Sequence, residues 1–129
     1  MGSNGGDVLF DEYQLSDGTL RMMSLVTLLL QPQLPELIII DEPEIGLHPT
    51  AISILADLLK SAAEKTQVII STQSIDLINY FTPEDIIVAD FKNAQSSFKR
   101  LSTEELHQWI DEYTLGELWE KNLFGGQPY

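Results

Sequence analysis

Apolar residues along this chain fall into blocks whose spacing predicts different elements. From Asp17 to Leu30 they crowd every side of a helical wheel (Leu20, Met23, Leu25, Val26, Leu28, Leu29), which predicts a largely buried helix. Gln31-Pro32-Gln33-Leu34-Pro35 breaks it, since proline can neither donate to nor fit inside a continuing helix. Leu37–Ile40 follows with no polar alternation, the pattern of a parallel strand covered on both faces. From Pro49, whose fixed φ suits a first helical turn, Ile52, Leu55, Leu58, Leu59 and Ala62 mark one face of a helix running to about Lys65.

Gln67–Ser71 predicts the next strand, Ser74 an N-cap for a helix over Ile75–Phe81, and Asp85–Ala89 a third strand. Ser96–Leu101 fits a strand on a hairpin, and Val8–Phe10 is a weaker strand candidate. The tail turns helical. Ser102-x-x-Glu105 and Thr114-x-x-Glu117 both fit the capping box, and Leu106, Trp109, Ile110 and Tyr113 recur at helical spacing. Gly125-Gly126 is expected to end the second of these helices. Strand, helix, strand, helix, strand predicts a doubly wound α/β arrangement, a mostly parallel sheet flanked by helices.

Composition narrows the function classes. The 129 residues, 43% of them apolar, suffice for one small core. A net charge of −13 with only seven Lys and Arg repels phosphate backbones, so DNA contact is expected only through a larger assembly. There is no cysteine, which excludes disulfides and thiolate chemistry and is compatible with a reducing compartment. No apolar run approaches the roughly 18–20 residues of a membrane span, and MGSNGG has no signal-peptide character, so the expectation is a cytoplasmic protein without a membrane partner. Residues 1–7 are set aside as a flexible start or cloning remnant.

The chemistry concentrates where the most apolar strand ends, in "LIIIDEP" (Leu37–Pro43). Ligands of open parallel sheets sit beyond the carboxyl ends of the strands, where Asp41 and Glu42 stand. An apolar strand ending in Asp-Glu is the Walker B arrangement. The first carboxylate serves a magnesium ion, usually through its water, and the second orients or deprotonates the water that attacks a γ-phosphate. The plain alternative is a strand leaving the core into solvent.

Further residues carry a resemblance. Leu15-Ser16-Asp17-Gly18-Thr19 resembles the LSGGQ signature, Glu44-Ile45-Gly46-Leu47-His48-Pro49 a D-loop that commonly reads "EPENGLHP", and Ile69–Ser74 a switch strand ending "STHS". In this order and spacing the chain resembles the C-terminal half of an ABC-type ATPase head, of the RecF- and SMC-like branch, close to the bacterial AAA_21-type ATPases. The resemblance covers roughly residues 8–129 and implies a P-loop NTPase fold with Mg²⁺ and ATP as cofactor and substrate. It assigns Asp41 to the metal, Glu42 to the water, and Gln73 to the γ-phosphate. Ser16, Asp17 and Gly18 would reach a partner's γ-phosphate, with Gly46 and His48 at the dimer seam. Each has a plainer alternative: an N-cap turn at Ser16–Gly18, a cap at His48, a polar strand end at Gln73. Gln73 also departs from the family histidine; its amide can donate a hydrogen bond but holds no titratable proton near neutral pH.

One part of the family pattern is missing. No G-x-x-x-x-G-K-[ST] occurs, and no lysine precedes Lys60. The reading is therefore of a piece excised from a longer ATPase, or half of a split enzyme, inactive alone. Its partner would be a second copy or the absent N-terminal lobe, with an ATP-gated clamp in DNA repair or defence as the cellular role. The alternative is an interaction or dimerisation module that has lost turnover.

Overall fold

The structure, a computed structural model, describes residues 16–127. The Val8–Phe10 strand candidate and Leu15 of the signature-like turn lie outside that range. Helix α1 (Asp17–Leu29) starts at Ser16, whose hydroxyl accepts the Thr19 N–H at 3.1 Å. It is less buried than its sequence suggests. Leu25 and Leu29 point into the core, while Met23 and Leu30 are 56% and 61% exposed. The chain then forms β1 (Leu37–Asp41), helix α2 (Pro49–Ala63) and β2 (Gln67–Ser71), and the two strands pair in parallel with Asp41 level with Ser71.

Pro49 opens α2 as expected, and the helix buries Ile52, Leu55, Ala56, Leu59 and Ala62. Leu55, Leu59 and Ala62 join Leu25, Leu29 and Ile38 in the first core cluster. Each fully buried leucine contributes about 2 kcal/mol relative to exposure. The expectation of a β1 covered on both faces is corrected. Ile38 is buried against this core, but its neighbour Ile39 is 70% exposed, and the paired Ile69 is open on the same face. Side chains alternate across a strand, and among the described residues only one face of the pair is covered.

The third strand also differs from expectation. Asp85 belongs to a 3₁₀ turn (Pro83–Asp85), where its carboxylate accepts the Thr82 N–H. Strand β3 therefore runs from Ile87 to Lys92, and it pairs antiparallel with β4 (Gln95–Arg100) rather than joining β2. Asn93 and Ala94 both hold positive φ (51° and 59°), the geometry of a two-residue hairpin loop, so the nearest available partner wins.

The short helix α3 (Ile75–Ile78) is capped by Ser74, and α4 (Thr103–Ile110) by Ser102. Helix α5 (Leu115–Glu120) has the full capping box between Thr114 and Glu117. In α4 Glu105 instead reaches Lys99 of the hairpin at 3.1 Å. Helix α5 docks on α3 where the Gly116 N–H donates to the Asn79 side chain at 2.7 Å. Ile78, Val88, Leu101, Leu106, Leu115 and Leu118 make a second core. Ile52, Ala56 and Leu77 bridge the α2 and α3 sides. No helix among the described residues is long and apolar enough to cross a membrane.

Candidate functional site at the acidic rim

Parallel pairing puts the carboxyl ends of β1 and β2 at one rim. Asp41 lies opposite Ser71, and the Ser71 hydroxyl donates to the Asp41 carboxylate in a short hydrogen bond. The ladder's last bond runs from the Glu42 N–H to the Ser71 carbonyl at 2.8 Å. There the chain turns sharply: Glu42 holds φ +43°, a left-handed conformation unusual for a side-chain-bearing residue. Gln73 follows Ser71 by two residues, beyond the end of β2 and exposed. The rim thus gathers Asp41, Glu42 and the Ser71-Thr72-Gln73 segment.

Four residues that sequence reasoning passed over shape this rim. Ser71 orients Asp41. Glu44 is buried, with one carboxylate oxygen accepting the Thr72 hydroxyl at 2.6 Å and the other without a hydrogen-bond partner among the described residues. Thr72 in turn accepts the Ser74 N–H at 3.0 Å, so a relay from Glu44 brackets Gln73. Arg21, from the second turn of α1, donates to the carbonyls of Asp41, Glu42 and Pro43 at 3.1, 2.7 and 3.3 Å. It is the only cation before Lys60, a signal that was present in the sequence.

The signature-like turn lies against the D-loop-like turn of the same chain. Gly46 has φ +76°, and a methyl added at Gly18 would fall 2.1 Å from the Gly46 carbonyl oxygen. Only glycine at position 18 permits that approach of two backbones. Ser16 caps α1 beside it, and Asp17 occupies the first turn. His48 caps α2: its Nδ1 accepts the Thr50 N–H at 3.3 Å. That bond occupies one ring nitrogen in a structural role.

Among the described residues no group of three or more His, Asp or Glu side chains surrounds a metal position. Magnesium in phosphate sites keeps most of its waters and takes one or two carboxylates, so the exposed, Ser71-oriented Asp41 fits a water-mediated contact. The cavity of about 490 Å³ lined by Asn79, Phe81, Ile110 and Tyr113 includes none of the rim residues.

The family model described as "AAA domain, putative AbiEii toxin, Type IV TA system" matches residues 1–79, more than half of the chain. This chain belongs to the AAA_21 family. The matched part ends at Asn79 and therefore contains both turns, both parallel strands and every rim residue. No curated protein matches this AAA_21 chain. Among solved structures it is similar to one described under "Structural biochemistry of ATP-driven dimerization and DNA stimulated activation of SMC ATPases". The TM-score is 0.58 at 19% identity, covering 78% of this chain and 62% of that one. At that identity the likeness shows the fold: the AAA_21 chain has the P-loop NTPase fold of an SMC ATPase and spans 62% of that structure's length.

Proposed function

We propose that this chain is the acid-bearing part of an ATP-hydrolysing unit that works as a dimer. The observation that carries the reading is the parallel register. It sets Asp41 level with Ser71 and brings Glu42 and Gln73 to the same rim. In this reading Asp41, oriented by Ser71, holds magnesium through water, and the ion when bound neutralises charge on the β- and γ-phosphates. Glu42 orients the attacking water and accepts its proton. The Gln73 amide donates to the γ-phosphate and supplies no proton of its own. Ser16, Asp17 and Gly18 offer a serine hydroxyl and helix N–H groups to the triphosphate held by a second copy.

The phosphate cradle has to come from elsewhere, because these 129 residues contain no G-x-x-x-x-G-K-[ST]. We assign it to an N-terminal lobe that covers the open sheet face. The exposure of Leu37, Ile39 and Ile69 supports this, since an apolar sheet face of that kind is normally packed. ATP-driven dimerisation of the SMC ATPase supports the dimer, and its DNA-stimulated activation suggests DNA as an effector of the whole assembly. The −13 charge assigns any such DNA contact to other parts of that assembly.

Single-turnover hydrolysis by the complete protein tests the catalytic claim. Glu42→Gln is expected to slow it about 100-fold or more while leaving nucleotide binding in place. Equal rates would remove the catalytic role of Glu42, and absence of hydrolysis in both forms would leave the second reading, an interaction module that keeps the fold and has lost turnover. Gln73 at the family's histidine position favours that alternative.

A further inference from the structure

We propose that Arg21 is a positioning residue for the acidic pair, fastening the first turns of α1 to the chain reversal at residues 41–46. The inference rests on the reading of Asp41 and Glu42 as the metal and water residues. Its structural half stands independently of that reading.

The reversal is gripped from two sides. On the β2 side Ser71 takes the Glu42 N–H and donates to the Asp41 carboxylate. On the α1 side the Arg21 guanidinium takes the carbonyls of Asp41, Glu42 and Pro43. Those carbonyls lie where the strand ladder stops, and a planar fork of fixed donors spans them in a way that a single ammonium cannot. Between the two grips sits Glu42 at φ +43°. A residue with a side chain stays in that region only where its surroundings over-determine it. The φ of Glu42 in turn sets the direction its carboxylate leaves the backbone.

A second contact makes the link rigid. Gly18 packs against Gly46 with no room for a methyl group, so the start of α1 touches the far end of the same reversal. Arg21 and Gly18 are three residues apart on one helix and therefore lie on one face of it. Any displacement of the Ser16–Gly18 turn, such as closure on a ligand would produce, is carried to Glu42 within the same chain.

The test compares Arg21→Ala and Arg21→Lys with wild type in the complete protein. Both are expected to lower kcat for ATP by about tenfold to a hundredfold, the scale of a misplaced catalytic group, with KM for Mg-ATP changed less than about twofold. Lysine is expected to fail as alanine does. A lysine variant with the wild-type rate would show that charge near the acids is what matters, and would overturn the proposal. So would an unchanged kcat in both. Amide hydrogen exchange separates this inference from the catalytic reading. In both variants the N–H groups of Glu42, Ile45 and Leu47 are expected to exchange faster, while those of the β3–β4 hairpin stay as in wild type. If Glu42→Gln proves fully active yet the exchange changes appear, the catalytic assignment of Glu42 fails and the positioning role stands. Unchanged exchange at residues 42–47 overturns the positioning role itself.

Discussion

Glu84 sits on the 3₁₀ turn with its carboxylate accepting the hydroxyl and the backbone N–H of Thr103. These bonds favour the ionised form and hold its pKa at about 2, below the ordinary 4.5, although the group is exposed. Because the folded value is depressed, the contribution is complete above the unfolded value of 4.5 and is lost as pH falls from there toward 2. An NMR titration of the Glu84 carboxyl should show this low midpoint, and Thr103→Val should move it back toward the ordinary value. A midpoint unmoved by Thr103→Val would contradict the assignment. Single residues were the least legible level of the sequence. Asp41 and Glu42 could be placed at the rim because their strand announces where it ends, and Gln73 through the resemblance of its segment to a switch strand. Ser71 and Glu44 could not, since each gains its role from a neighbour 28 to 30 positions away, and Arg21 was marked only as the first Lys or Arg of the chain.

Elements were most legible where the deciding interaction is local. Ser74, Ser102 and Thr114 cap helices within three residues of themselves, and Pro49 opens α2 by its own ring geometry. The Ser102 box half-formed because Glu105 had a more distant competitor in Lys99. The end of α5 shows the same limit. Gly125-Gly126 looked like its terminator, yet the helix stops at Glu120, with Asn122 at φ +52°. Leu123 N–H bonds to the Leu118 carbonyl and Asn122 N–H to that of Trp119, a Schellman closure. Gly126 serves packing instead, since a methyl there would lie 2.5 Å from Val88, and Gly125 serves a backbone at φ +81°. Asn122→Gly should therefore be neutral or slightly stabilising, and Asn122→Ala should cost about 1 kcal/mol in urea unfolding. Equal stability of the two variants would mean that the left-handed residue does not limit the helix end.

At the scale of the molecule, the parallel pair was foreseen from its apolar run, and so was apolar surface left open where the N-terminal lobe is missing; which of its faces stays open was not. The pattern of Leu37–Ile40 encodes burial on both sides, while the described residues supply a cover for one. Burial propensity reports what a strand needs and is silent about which segment provides it. The β3–β4 hairpin adds exposed Ile87, Phe91 and Phe98, with β3 drawn to its sequence neighbour rather than to β2. The chain by itself is expected to self-associate through these faces in a concentration-dependent way. Ile39→Lys should shift sedimentation toward the monomer with little change in thermal midpoint, because Ile39 is 70% exposed and contributes little to the core. A variant that unfolds instead would show that the face is packed in solution.

The guanidinium under the acidic reversal grips main-chain oxygens, which every amino acid carries. This hold from the helix side is therefore blind to the side chains displayed there. Exchanging Glu42 for its amide leaves the three carbonyl contacts of that hold in place. Retention of the reversal's shape is no proof of retained turnover, and an amide swap at the tip isolates chemistry from architecture.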